Sequence, residues 1–336
     1  MALTADQLNE AIAVATRYIR REITDQLQVA NYLYYIMMTK QKEYVSGGTT
    51  IQQPIKDAAN ASQGFIDGKF GTIDTNANRQ HTHATFDWKY WYHNTSITLD
   101  DFTKTQDTPE SIKSLLEAKK QGSKADAVRG LSQALFGSGV DSNSLAFDGF
   151  TDLFAASGIA YGGLLDTDFS DPTTWLTEID NTTTVVNFPN ISRLISKLKA
   201  RGGQIGNEYG SYKPDCMVSN FAVQDKFLST LQAQQRFVDK TKLDAGFEGV
   251  EVNGLFWYVD DFAPGSADTS TADNFLFILS KSTLRFCYKY GLDKESPFDA
   301  AIQIPNQPVK SDQVYLAGNI VCTGRRYNGV FKTLIA

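Results

Sequence analysis

All three histidines of the chain, His81, His83 and His93, fall in one short window, and imidazole is a common transition-metal ligand. On a strand His81 and His83 point to the same side, so they could share a zinc ion with His93 or Asp87 as a third ligand. No fourth ligand stands at zinc-site spacing, and three solvated side chains are the plainer expectation. A soluble metal-dependent enzyme built on His81, His83 and His93 is the alternative this cluster offers. Asp166-Thr167-Asp168-Phe169-Ser170-Asp171 begins like a calcium loop, but Asp171 stands where glycine is required and Thr177 where the closing glutamate belongs. A surface turn before Pro172 is expected instead. Arg201-Gly202-Gly203-Gln204-Ile205-Gly206 lacks the Gly-Lys-Ser/Thr ending of a phosphate loop and reads as a plain loop. Glu248, Glu251, Asp260 and Asp261 could supply paired carboxylates, yet neighbours such as Asp260 and Asp261 point apart at a strand end. No Gly-x-Ser-x-Gly elbow is present. Cys216, Cys287 and Cys322 form no C-x-x-C pair and are expected as buried reduced thiols. The expectation is therefore a chain with no catalytic, cofactor-binding or metal residues, and no enzyme.

The elements around these residues are long and varied. The chain has 336 residues, 42% of them hydrophobic, enough for a real core in two lobes or one elaborated domain. A net charge of −6 gives no overall attraction to phosphate backbones. No basic stretch precedes an apolar run at the N-terminus, and Val29 to Met38 is too short to span a membrane, so neither secretory signal nor membrane segment is expected. Leu8, Ile12, Ala15, Ile19 and Ile23 form one stripe of an amphipathic helix that must dock on something.

Ser46-Gly47-Gly48 ends that pattern, and residues to about 105 are polar with little helical periodicity. Asp67-Gly68 signals a type I′ hairpin that sets Phe65 across from Phe70, with Ile66 and Lys69 beside the turn. Phe86, Trp88, Tyr90 and Tyr92 alternate with Asp87, Lys89, Trp91 and His93, which predicts one strand with four aromatics on one face. Thr108-Pro109-Glu110 is a helix start, and two apolar patches, Ile112/Leu115/Leu116 and Ala127 to Leu135, lie on one face of a helix reaching Phe136. Gly122 could instead split it. Lys119, Lys120, Lys124 and Arg129 are read as a solvated flank. Beyond Phe147, helices are predicted over Ile191–Lys199 and Asn220–Arg236, and buried strands over Cys216–Val218 and Phe256–Val259. Long strands follow over Phe275–Leu279, Leu284–Tyr290 and Val314–Val321.

Phe147-Asp148-Gly149-Phe150, Tyr161-Gly162-Gly163, Trp175, Pro214-Asp215, Ala245-Gly246-Phe247 and Asp260-Asp261 stand in an order and spacing that resemble the tailed-bacteriophage major capsid protein family. The resemblance implies an α+β fold of the Hong Kong 97 type: an N-terminal arm over 1–45, an extended loop over 46–105, and the spine helix of a peripheral domain over 106–146. An axial domain would follow over 147–275, with return strands of the peripheral domain over 276–336. It implies a structural protein that self-assembles as pentamers and hexamers into an icosahedral shell around double-stranded DNA, held without sequence-specific contacts. Scaffolding, portal and decoration proteins would be its partners, the virion its location and the host bacterial cytoplasm its place of assembly. Under this reading Phe65, Ile66, Lys69, Phe70, Phe86, Trp88, Tyr90 and Tyr92 are candidate contacts between subunits. A nanocompartment shell of the same fold is the near alternative, and a tail-sheath or receptor-binding protein a more distant one.

Overall fold

A computed structural model describes residues 31–56, 62, 65–66, 68, 71–73, 80–98, 109–138, 145–202, 212–232, 249–265, 272–289, 302–303 and 309–335. The helix expected from Leu8 to Ile23, the tip residues Asp67, Lys69 and Phe70, Glu248 and the Ala245-Gly246-Phe247 landmark lie outside them. In chain order the elements are α1 (Tyr32–Tyr35, continuing as a π-turn over Ile36–Lys40), β1 (Lys42–Val45), β2 (Thr50–Lys56), β3 (His81–Asp87), β4 (Lys89–Thr98), α2 (Pro109–Leu135) and α3 (Phe150–Leu153). Then come β5 (Glu178–Asp180), α4 (Phe188–Arg201), β6 (Cys216–Ser219), α5 (Phe221–Gln232), β7 (Gly249–Val252) and β8 (Leu255–Val259). The chain closes with β9 (Ala272–Leu279), β10 (Leu284–Lys289), β11 (Ile302–Gln303), β12 (Val309–Cys322) and β13 (Gly329–Ile335).

Helix α2 runs unbroken for 27 residues, about 40 Å, so Gly122 does not divide it. Its exposed Lys124 and Arg129 match the solvated flank, while Leu131 and Leu135 are buried. Helix α4 shows its local causes plainly. Asn187 Oδ1 accepts from the Asn190 amide at 3.0 Å as an N-cap, and Ile191, Leu194, Ile195 and Leu198 form the buried stripe. Among the described residues no helix is long and apolar enough to cross a membrane.

Three sheets organise the strands. The six-stranded sheet has the order β5-β13-β9-β6-β8-β7, and it is a wall between two hydrophobic cores. Met217, Leu255, Trp257, Leu276, Ile278 and Phe331 face the core under α4 and α5. Their strand neighbours Cys216, Val218, Tyr258, Phe277, Leu279 and Val330 face the other core, which reaches the end of α2. Both faces are covered, so these strands read as continuous apolar runs without alternation. The second sheet has the order β1-β10-β12-β11, with β4 pairing β12 from Val309↔Thr98 to Gly318↔Lys89. Strands β2 and β3 make a separate antiparallel ribbon. The last 60 residues thus serve two sheets: β9 and β13 join the wall, and β10 and β12 the second sheet. The sequence pattern had grouped them together, because long apolar strands do not say which edge they join.

Candidate functional site

The predicted single aromatic strand is interrupted at Trp88, and that break divides its four aromatics. Phe86 on β3 is buried, in edge contact with Tyr161 at 5.1 Å between centroids. Trp88 is also buried, and its indole donates to the Gly48 carbonyl at 3.0 Å. Neither projects from a protruding arm, which corrects the expectation that all four do. The base of the 46–105 region instead packs into the chain's own core through Ile51, Ile55, Ala84 and Phe86. Burial of those side chains outweighs any gain from leaving them for a partner.

Past the break, the odd-numbered face of β4 turns to α2. His93 is hydrogen-bonded to Ser123 Oγ at 2.9 Å and stacked on Trp91, whose ring edge lies 3.5 Å from where a Cβ on Gly130 would stand. The even-numbered face therefore points outward, leaving Tyr90 64% and Tyr92 70% exposed. Tyr92 stands directly across from Tyr315 of β12, itself 47% exposed, so three phenols share one sheet face. Tyr315 escaped the sequence reading, because Val314–Val321 carries no alternation and residues 316–322 are all buried. In the 62–73 region Phe65 is fully exposed and Ile66 half exposed, and Gly68 has the positive φ (+53°) that the turn signal requires.

The histidines do not converge. His81 and His83 lie on the exposed side of β3, across from Lys56 and Pro54, while His93 is ten residues on, a contour of about 33 Å of extended chain, in another sheet and against α2. Among the described residues no group of three metal-ligating side chains occurs, so the metal-enzyme alternative falls. Asp171 accepts from the Thr173 amide at 3.0 Å, the turn-capping role expected before Pro172, whereas Asp166 is buried and accepts from the Gly158 amide and Ser157 hydroxyl of the preceding segment. These hydrogen bonds hold both carboxyl groups below the usual range.

The landmarks from Phe147 to Trp175 lie at a joint between the layers. A Cβ on Gly149 would stand 2.3 Å from the Gly137 carbonyl oxygen, so the chain there must pass close under the end of α2. Gly162 has φ +61°, donates space to Phe86 and Ala84, and its carbonyl accepts from the Thr85 amide at 2.8 Å. Trp175 stacks on Phe169 and donates to the Tyr161 carbonyl at 3.2 Å. Arg325 is fully buried, with its guanidinium 5.0 Å from the Tyr161 ring centroid and 5.9 Å from that of Trp175. Its Nη2 donates to the Leu153 carbonyl at 2.9 Å, and burial lowers its pKa. Asn319 donates to Asp148 Oδ2 at 2.7 Å and the Asp87 carbonyl at 2.9 Å, and accepts from the Asp148 amide at 2.9 Å. Burial raises the Asp148 carboxyl against the opposing effect of Asn319. Of the carboxylate group, Asp260 is buried and Asp261 exposed, as neighbours on a strand end should be. These polar groups bond one another or the backbone, the pattern of a fold-specifying network.

An α+β body of one long helix, a wall sheet, a second sheet and a separate two-stranded ribbon has, by its likeness to solved structures, the Hong Kong 97-type capsid fold. No protein-family model and no curated protein matches the chain. Solved structures do match it, end to end. The capsid asymmetric unit of cyanophage A-1(L) aligns with a TM-score of 0.67 at 14% identity, covering 96% of this chain and 98% of that one. The SrpI encapsulin complex of Synechococcus elongatus PCC 7942 aligns with a TM-score of 0.60 at 10% identity, covering 100% and 97%. Mycobacterium phage Ogopogo aligns with a TM-score of 0.55 at 12% identity, covering 99% of each.

Proposed function

We propose that this chain is the major capsid protein of a tailed bacteriophage, assembling as pentamers and hexamers into an icosahedral shell around double-stranded DNA. The observation that carries the reading is the end-to-end likeness to the capsid subunit of cyanophage A-1(L), with no long unmatched segment on either side. The exposed phenols of Tyr90 and Tyr92 support it, because aromatic area on a flat sheet face suits burial against a second copy. In this reading the subunit contacts are made by Tyr90, Tyr92, Phe65 and Ile66, with Lys69 and Phe70 beyond them at the loop tip. Phe86 and Trp88 drop out of that set, since the chain's own core already uses them. The arm (1–45), extended loop (46–105), spine helix (106–146), axial domain (147–275) and return strands (276–336) take the parts assigned to them above. Scaffolding, portal and decoration proteins are the accessory partners, and a net charge of −6 suits a shell that encloses DNA without adhering to it.

A nanocompartment shell is the second reading, favoured by the alignment with the SrpI encapsulin. Negative-stain microscopy of the expressed protein should show closed megadalton shells. Nuclease-protected DNA in particles isolated from the native source supports the phage reading, and a protein cargo the nanocompartment. A stable monomer at high concentration would overturn both.

A further inference from the structure

Where the chain enters the described body, residues 31–37 are clamped onto the wall sheet. Tyr32, Leu33, Ile36 and Met37 are all buried, and Tyr32 stacks on Tyr258 of β8 at 3.2 Å between ring centroids. Asn31 makes an isolated bridge to Asp260, just past the end of β8. The contact is sealed by one side chain: Asp260 Oδ2 accepts from the Leu33 amide at 2.9 Å, across 227 residues of sequence. Asp260 Oδ1 accepts from the Phe262 amide at 3.1 Å, and the residue has no exposed surface. The far end of the segment is held separately, since Gln41 accepts from the Phe286 amide at 2.9 Å and from the Arg285 guanidinium. The two ends of the segment are thus held by separate polar contacts, Asp260 at one and Gln41 at the other.

We propose that the Asp260 carboxylate is a pH-sensitive latch for the Leu33 end of the 31–37 segment, which lifts about Gln41, seating it more tightly in mild acid and loosening it as the pH rises towards neutrality. The geometry makes one carboxylate the closure of an otherwise apolar contact, so ionising it places a charge under Leu33 with two amide donors and, among the described residues, no salt-bridged cation. Asp261 follows it in the chain and opposes its ionisation, while Leu33 and Phe262 favour it. Beyond the Tyr32 and Tyr258 rings lie Asp215 and Cys216, with Lys281 Nζ 5.9 Å from the Tyr258 centroid. Burial dominates and raises Asp260 from 3.8 to about 6. Lifting the segment exposes the carboxyl and returns it towards its ordinary value. A group whose pKa is higher in the closed state favours closure below that pKa, and the advantage is lost as the pH rises through about 6. With 3.8 for the open state and about 6 for the closed one, closure is favoured about tenfold more at pH 5 than at pH 8.

Hydrogen–deuterium exchange on the full chain tests this, with protection of the 31–37 peptide corrected for the intrinsic exchange rate at each pH. The wild-type protein should lose about tenfold in protection from pH 5 to pH 8, while the β9 peptide Ala272–Leu279 stays constant. Asp260→Asn keeps an acceptor but cannot ionise, and its 31–37 protection should be flat across that range. Wild-type protection that is flat or rises with pH overturns the latch, as does an Asp260→Asn protein that keeps the wild-type slope. The wild-type slope alone decides the matter should the variant not fold. This readout is taken within one subunit and does not depend on the chain forming shells.

Discussion

Replacing Tyr90 and Tyr92 together by threonine should weaken assembly while leaving the fold intact. Threonine keeps the β-branched preference for a strand, and both side chains point away from α2, so the core loses nothing. A buried tyrosine covers about 200 Å², so exposures of 64% and 70% leave about 130–140 Å² available on each ring. At about 25 cal/mol per Å², covering half to all of that area against a neighbour contributes about 1.5–3 kcal/mol per residue. Threonine retains part of it, so the double variant should lose about 2–4 kcal/mol per contact. With tenfold per 1.4 kcal/mol, each contact weakens about thirty- to several-hundredfold. Static light scattering across a concentration series should show the assembly threshold rise accordingly, with an unchanged urea midpoint for the unassembled chain. Assembly at the wild-type threshold would refute this placement of the contact, and a large fall in the urea midpoint would show that the tyrosines serve the fold instead.

Further outcomes concern the joint between the layers and the buried thiols. Gly162→Ala forces a side chain to φ +61° and sets its Cβ 2.7 Å from the Phe86 ring, so urea unfolding should show a loss of about 2–4 kcal/mol. Arg325→Met leaves the Leu153 carbonyl with only the long 3.5 Å bond from the Thr177 hydroxyl and should destabilise by about 1–3 kcal/mol in the same assay. Arg325→Lys should not restore the loss, because an ammonium cannot lie flat between Tyr161 and Trp175 while reaching that carbonyl. Cys287 and Cys322 are buried with thiols pushed up to about 12 and about 11, so iodoacetamide at pH 8 should label them only after denaturant is added.

Local features of the fold were legible because they are written over a few residues. Pro109 opens α2, the Ile191/Leu194/Ile195/Leu198 stripe marks α4, and the apolar runs at Cys216–Val218, Phe256–Val259 and Phe275–Leu279 are strands. The same runs hid the architecture, since a strand covered on both faces carries no alternation to say which core each side chain joins. The aromatic pattern of residues 86–92 gave the correct parity but not the change of environment at Trp88. That change depends on α2 covering β4 and on the Gly162 turn covering β3. Asp260 and Leu33 are 227 residues apart and Arg325 and Tyr161 are 164 apart, distances over which no periodicity operates. The metal alternative drawn from the histidine cluster failed for the converse reason: closeness along an extended chain is distance in space.

The location of the exposed aromatics follows from how the two larger sheets are covered. Among the described residues, every large hydrophobic side chain that is exposed on a strand is a tyrosine: Tyr44, Tyr90, Tyr92 and Tyr315. All four belong to the sheet of β1, β10, β12 and β4, and none to the wall sheet. The wall cannot offer such a face, because a core lies on each side of it. The second sheet has α2 against one face of β4 and leaves the other open at Tyr90, Tyr92 and Tyr315, where the proposed contact with another copy would form. Tyrosine suits that place physically. Its hydroxyl keeps the ring compatible with water before association, and its two side-chain torsions cost little to fix when the ring becomes covered.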